Sequence, residues 1–247
     1  MLIKPRISII TVSFNSEGTI TETIKSVLEQ TVSPYEYIII DGKSNDETVK
    51  IAESFRAQFQ QKGIIYQIIS EKDTGIYNAM NKGIRMTTGD VIGMINSDDW
   101  YEPNAVEMVS KTYEKTNFDI FYGDIKIIKS TGDFVKHSKR DHFPSSRHWN
   151  HPTTFITKHI YEKYSYDENE FYADFDLILK LRKAGVHIEI VNEVLANFRF
   201  GGISNTKSVK KMLKRAKARY HIYRHNDYGK IYIVESYLME FVKFLLA

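Results

Sequence analysis

The chain is expected to fold as an α/β domain, a mostly parallel sheet flanked by helices. Three observations carry that expectation. Short β-branched runs alternate with helical patterns through the first half, and several of these runs end on polar or acidic residues. The composition, 247 residues of which 42% are hydrophobic, is ample for one core.

Ile7-Ser8-Ile9-Ile10-Thr11-Val12 reads as the first buried strand. Thr19-Ile20-Thr21-Glu22 has the pattern of a capping box, with Ile20, Ile24, Val27 and Leu28 on one face of the helix it opens. Tyr37-Ile38-Ile39-Ile40 is a second strand and Ser44-Asn45-Asp46-Glu47 a second capping box, whose helix turns Ile51, Ala52, Phe55 and Phe59 inward. Residues 64–69 form a third strand, a helix spans about 76–83, and the turn Thr88-Gly89-Asp90 precedes a fourth strand, 91–95. Beyond it the pattern changes. Residues 120–129 and 134–137 around Ser130-Thr131-Gly132-Asp133 read as a β-hairpin, 153–157 as a further strand, 173–184 as a helix ended by Gly185, and 186–198 as extended. One domain over 1–204 and a helical extension over 205–247 follow.

There is no cysteine, which excludes disulfides and thiolate metal sites and fits a reducing, cytoplasmic setting. No run approaches transmembrane length, and the first residues lack the charged, apolar and small-residue succession of a secretory signal. A net charge of +3 says little about partners. Its distribution says more, because residues 207–224 carry many lysines and arginines and no acid.

The most informative stretch is Asn96-Ser97-Asp98-Asp99-Trp100 behind the apolar run 91–95. Two carboxylates at a buried strand's end sit where open α/β sheets bind ligands, and Mg²⁺ or Mn²⁺ takes such oxygen donors together with substrate phosphates. Asp41 also ends a strand, where it is placed to accept from a uracil imide or a ribose hydroxyl. The alternative for Asp41 is a helix N-cap, a role for which Ser44 is better placed. Thr11, Ser13 and Asn15 at the end of the first strand are expected to line the same crevice.

Several segments in fixed order resemble the family 2 glycosyltransferases, inverting enzymes of GT-A fold that use sugar nucleotides. They are Ile9-Ile10-Thr11-Val12-Ser13-Phe14-Asn15, then 39–48 around Asp41-Gly42, then 70–83 around Asp73-Thr74-Gly75, then Thr88-Gly89-Asp90 and Asn96-Ser97-Asp98-Asp99. The resemblance covers roughly 7–204. It implies that Asp41 and Asp73 contact the nucleoside, that Asp99 is the principal ligand of Mn²⁺ or Mg²⁺, and that Asp98 contacts ribose or assists through water. Ser97 stands where a fuller Asp-x-Asp pattern has its first acid. Ala173-Asp174-Phe175-Asp176-Leu177 is similar to the family's base-bearing segment and makes Asp174 the general base, with Ala173 in place of a frequent acid. Asp176 lies roughly opposite around the helix and is given a structural task.

His151, in His151-Pro152-Thr153-Thr154-Phe155, is placed to touch the acceptor or to pack beside Trp149. Phe200-Gly201-Gly202-Ile203-Ser204 resembles a closing loop over the donor, and a plain turn is its alternative. The basic stretch from Lys207 to Arg224, followed by apolar residues 231–246, suits the anionic inner leaflet of a membrane; an RNA patch, packing on the core and a homodimer contact are the alternatives.

The activity the resemblance implies is transfer from a nucleotide sugar, a UDP-sugar in family terms, to a saccharide or lipid-linked saccharide of a surface polysaccharide, capsule or O-antigen. The rival enzyme class, a sugar-nucleotide pyrophosphorylase, wants a glycine-rich triphosphate loop with a basic residue, and Ser13-Phe14-Asn15-Ser16-Glu17-Gly18 offers neither. A nucleic-acid-binding module leaves the strand-end aspartates unexplained.

Overall fold

The computed structural model describes residues 4–140, 143–201 and 208–246. Its strands β1 (Ile7–Ser13), β2 (Glu36–Asp41), β3 (Ile65–Ser70) and β4 (Val91–Asn96) alternate with helices α1 (Ile20–Leu28), α2 (Thr48–Ser54), α3 (Arg56–Gln61) and α4 (Ile76–Met86). There follow β5 (Trp100–Tyr101), α5 (Ala105–Thr116), β6 (Ile120–Ile128), β7 (Phe134–Lys136), β8 (Phe155–Thr157) and α6 (Lys158–Tyr161). The last elements are α7 (Ala173–Lys183), β9 (Ile188–Arg199), α8 (Val209–His225) and α9 (Tyr232–Leu246).

The sheet runs β3-β2-β1-β4-β8-β6-β9-β5, with β7 on the outside of β6. Strands β1 to β4 pair in parallel, as βαβ alternation requires, and β6 pairs in parallel with β9. The short β8 joins the two halves by antiparallel pairing to β4 and β6. Side chains alternate across the sheet, so two cores form. Ile7, Ile9, Tyr37 and Ile39 pack on one face with α1 and α5, and Ile10, Ile38, Met80 and Ile92 on the other with α4 and α7. The mixed α/β architecture flanked by helices is as expected.

Neither capping box forms. Thr19 makes no side-chain cap, and the Glu22 carboxylate that would close its box pairs instead with Arg199. The Ser44 hydroxyl donates to Asp41 Oδ1 (2.5 Å), so Ser44 is not the cap of α2; Asp46 Oδ1 accepts from Thr48 N (3.0 Å) and Glu17 Oε2 from Glu47 N (2.9 Å). The second helix is also broken at Phe55, which ends α2 and begins α3.

Helix α8 packs on α7, and α9 packs on α8. Ile222, Tyr223 and Tyr232 belong to the α7-side core, and buried Arg219 pairs with buried Glu240 at 2.6 Å. The boundary expected at 204/205 and residues 202–204 of the expected closing loop lie outside the described residues.

Candidate active site

The parallel register aligns the ends of three neighbouring strands, placing Ser13 beside Asp41 and Asp41 beside Ser70. Asp41 is buried and accepts four bonds: Ser13 Oγ (3.1 Å), Ser44 Oγ (2.5 Å), Ser44 N (2.9 Å) and Ser70 Oγ (2.6 Å). It thereby ties β1, β2 and β3 together at the crevice floor. Asn15, with φ 48, reaches across to the same loop: its N–H donates to Ser44 Oγ (2.8 Å) and its Oδ1 accepts from Asn45 N (2.9 Å). Thr11 does not line the crevice. It lies two residues short of the strand end that carries Ser13, fully buried at core depth, where its Oγ1 accepts from the Tyr37 hydroxyl at 2.9 Å.

Asp73 follows β3 and accepts from Gly75 N at 3.0 Å. Its other oxygen lies against Gly42: a Cβ there would stand 2.7 Å from Asp73 Oδ2 and 3.3 Å from the Phe14 ring. The two loops touch here, so any side chain at 42 would displace the Asp73 carboxylate. Phe14 itself is 61% exposed at the crevice mouth, an aromatic surface that the sequence reading passed over. Its position after a β-branched strand was the available signal.

The Asn96–Asp99 turn follows β4. Thr23 Oγ1 donates to Asp99 O (2.6 Å), Arg199 N to Asp99 Oδ1 (3.0 Å) and Arg199 Nε to Asp98 O (3.3 Å). Arg199 also pairs with Glu22 and lies over the Trp100 ring, 5.0 Å from its centroid. Ser97, in the place of a first acid, shares a 2.8 Å hydrogen bond with Ser16 and so joins this turn to the β1 loop. Asp99 is fully buried, and both its Oδ2 and the Asn96 Oδ1 have no hydrogen-bond partner among the described residues. Burial pushes the Asp99 carboxyl well above the usual carboxylate range, and the neighbouring Asp98 charge pushes it further. Burial raises Asp98 too. Two adjacent carboxyls with raised values and two orphaned oxygens fit a hard divalent cation, which would replace the missing partners.

Asp174 stands in the first turn of α7. Its Oδ1 accepts from the Tyr77 hydroxyl and from Phe175 N, each at 2.9 Å. Tyr77 lies on α4, two residues beyond Gly75, so one hydrogen bond links the Asp73 loop to Asp174. His151 faces the same carboxylate: burial lowers its pKa, the Asp174 charge opposes that, and its Nε2 lacks a partner. Its ring also packs edge-on to Trp149 at 6.0 Å, the packing contact expected of it. Asp176 is buried and structural, bonded to Asn226 Nδ2 (2.5 Å) and Lys180 Nζ (2.6 Å). Lys136 was not anticipated. Its ammonium donates to the carbonyls of Ser146 (3.0 Å) and Trp149 (2.8 Å), and burial together with Lys243 and Arg219 pushes it down to about 7 while Asp174 opposes.

The family model described as "Glycosyl transferase family 2" matches residues 8–174. The chain belongs to this family. The glycosyltransferase is 28% identical over 222 residues to a PGL/p-HBAD biosynthesis glycosyltransferase of Mycobacterium bovis, covering 85% of this chain and 84% of the relative. It is also 28% identical over 225 residues to an Escherichia coli UDP-Gal:alpha-D-GlcNAc-diphosphoundecaprenol beta-1,3-galactosyltransferase, covering 84% and 78%. Among solved structures, S. aureus TarS 1-349 in complex with UDP-GlcNAc shares the fold with a TM-score of 0.68 at 14% identity, over 96% of this chain and 72% of that one. The mannosyltransferase PcManGT of Pyrobaculum calidifontis, in complex with GDP-Man and Mn²⁺, gives 0.64 at 14% identity, over 99% and 76%.

Proposed function

We propose that this glycosyltransferase moves a sugar from a nucleotide donor, a UDP-sugar, to a saccharide carried on a lipid, with inversion at the anomeric carbon. The observation that carries the proposal is the buried, unpartnered Asp99 Oδ2 beside Asp98, at the end of the strand adjoining the Ser13–Asp41–Ser70 floor. Asp41, Asp73, Ser13 and Asn15 hold the nucleoside end, with Phe14 offering a face to the base. Asp41 bonds to this chain's own donors, so donor binding exchanges at least one of them for a nucleoside donor group. Asp99, with Asp98, would hold Mn²⁺ or Mg²⁺, whose chemistry is to neutralise charge on the departing nucleoside diphosphate.

Asp174 takes the proton of the acceptor hydroxyl. The freed oxygen forms its bond to the anomeric carbon as the bond from that carbon to the phosphate oxygen breaks, and the nucleoside diphosphate leaves with the electron pair. One displacement inverts the centre. The Tyr77 hydroxyl and Phe175 N–H both hold Asp174 Oδ1, which fixes the carboxylate's aim. The lipid-linked acceptor, in polysaccharide, capsule or O-antigen assembly, is supported by the printed name of the galactosyltransferase relative. On this reading the enzyme works at the cytoplasmic face of a membrane.

Nucleotide sugars are to be screened for hydrolysis, transfer and thermal stabilisation, with and without Mn²⁺. A donor at a hundred times its dissociation constant stabilises by ~2.7 kcal/mol. Stabilisation by a UDP-sugar that needs Mn²⁺ is expected; silence from every nucleotide sugar in all three assays would overturn the reading.

A further inference from the structure

Away from the crevice, His221 and His225 lie one turn apart on α8, so both rings project from the same face. The rings meet edge-on with centroids 6.0 Å apart. Glu170, in the segment leading into α7, approaches them: its Oε1 is 3.5 Å from His221 Nε2. One ligand atom from each of the three lies within 4.8 Å of the other two. Two imidazoles one turn apart plus a carboxylate from a second segment form a three-point donor set with an open side.

We propose that Glu170, His221 and His225 form a second metal site, for a transition metal of the Zn²⁺ class, which clips the segment before α7 to α8. Donor chemistry separates it from the catalytic carboxylates. Imidazole nitrogen selects Zn²⁺ and its neighbours, whereas the all-oxygen surroundings of Asp99 suit Mg²⁺ or Mn²⁺. The spacing fits as well. Bonds of about 2.0–2.2 Å to a tetrahedral ion ask for ligand atoms a little over ~3 Å apart. The Glu170–His221 pair nearly meets this, and the His221 side chain, 62% exposed, is free to rotate for the remainder. Water completes the fourth position. The clip has a consequence for the site. Glu170 precedes Phe171, whose carbonyl accepts from the Tyr77 hydroxyl (3.4 Å), the same hydroxyl that orients Asp174. An ion on Glu170 therefore fastens the chain entering the base helix.

Cobalt(II) is the probe, added to the full-length protein and followed by its visible absorption. Zn²⁺ competition gives the affinity and stoichiometry. A single tetrahedral Co²⁺ band displaced by Zn²⁺ is expected, retained in Asp99→Asn and lost in His221→Ala/His225→Ala. Glu170→Gln should weaken Zn²⁺ binding by roughly ten- to a hundred-fold. All three positions sit at the surface, and circular dichroism checks that the variants fold. The site is overturned if the double variant binds Zn²⁺ as the parent does, or if Asp99→Asn removes the band. The clip is overturned if Glu170→Gln leaves affinity unchanged. A Zn²⁺-dependent change in acceptor KM rests additionally on the role proposed for Asp174, whereas these binding readouts do not.

Discussion

Single atoms decide how the crevice works, and Asp99 Oδ2 is the clearest of them. The folded carboxyl sits above its usual range, so the folded state keeps a proton that the unfolded chain has released. That contribution is complete below the ordinary carboxylate range and is lost as pH rises through the folded value. Near neutrality the metal-free protein therefore carries a penalty. Asp99→Asn should raise its melting temperature at pH 7–8, where ~1 kcal/mol is worth about 2–4 °C at this chain length, and abolish any Mn²⁺-induced stabilisation. A variant that melts lower, or that still responds to Mn²⁺, refutes the ligand assignment. Asp174→Asn tests a different property. It keeps shape and removes proton acceptance, so turnover should fall by roughly 10²–10⁴-fold while donor affinity holds. Loss of donor affinity with an intact rate constant would move Asp174 to the donor site. The acid positions were legible in the sequence because strand ends and motif order mark them. Thr11 was misplaced because motif membership says nothing about how far along a strand the core ends, and two residues before Ser13 its side chain is still buried beside Tyr37.

Helices were read with less accuracy than strands, for a physical reason. A buried parallel strand announces itself by a continuous apolar run, whereas a cap depends on what else competes for the same side chain. Glu22 and Ser44 have the residue types of capping boxes, but Arg199 and Asp41 take them. Arg199 comes from a distant segment and Asp41 from the strand end just before Ser44, so the box pattern by itself shows neither. Helix α5 was not expected from the sequence, although Ala105, Val106 and Val109 lie on one buried face, and its N-cap Asn104 makes no side-chain cap that would mark its start. The pairing of α8 with α9 was equally invisible. Arg219 sits in a basic stretch that reads as a solvated face, yet its side chain is 1% exposed, against Glu240 at 1%. Arg219 Nη1 also donates to Ser146 Oγ (2.5 Å), and its guanidinium covers the Tyr172 ring at 4.8 Å. Arg219→Ala would leave Glu240 buried without its cation, a change that costs about 3–5 kcal/mol. Chemical denaturation should show that loss; a variant within ~1 kcal/mol of the parent would mean that Tyr172 and Lys243 suffice for Glu240.

Across the molecule, the largest departure from an ordinary globular surface is the outer side of α9. Ser236 and Glu240 are buried against the body of the protein, whereas Val234 (61%), Leu238 (57%), Phe241 (47%) and Leu245 (61%) face out. These four positions recur at helical spacing and form one stripe, so the helix is polar inward and apolar outward. A contiguous exposed stripe of this kind marks a contact surface. Lys210, Lys214, Lys217 and Arg224 are exposed on the adjacent α8. An apolar stripe beside exposed cations is the pattern of a helix that lies in an interface plane; no helix among the described residues is long and apolar enough to cross a membrane. The core packing of Ile222, Tyr223 and Tyr232 makes truncation near residue 205 a poor test, because it would strip the α7 side of its cover. Leu238→Ser/Phe241→Ser changes only outward residues. The parent should bind vesicles rich in anionic lipid at low salt, with about 1 kcal/mol from each basic residue near the surface, and release as salt rises. The double variant should bind weakly at every salt concentration yet melt as the parent does and still hydrolyse the sugar nucleotide. A parent that ignores anionic vesicles while forming a dimer that the same two substitutions dissociate would assign the stripe to a second copy of the chain. The apolar outward face is needed in both cases, and only the lipid case brings the crevice to the surface where a lipid-linked acceptor is held.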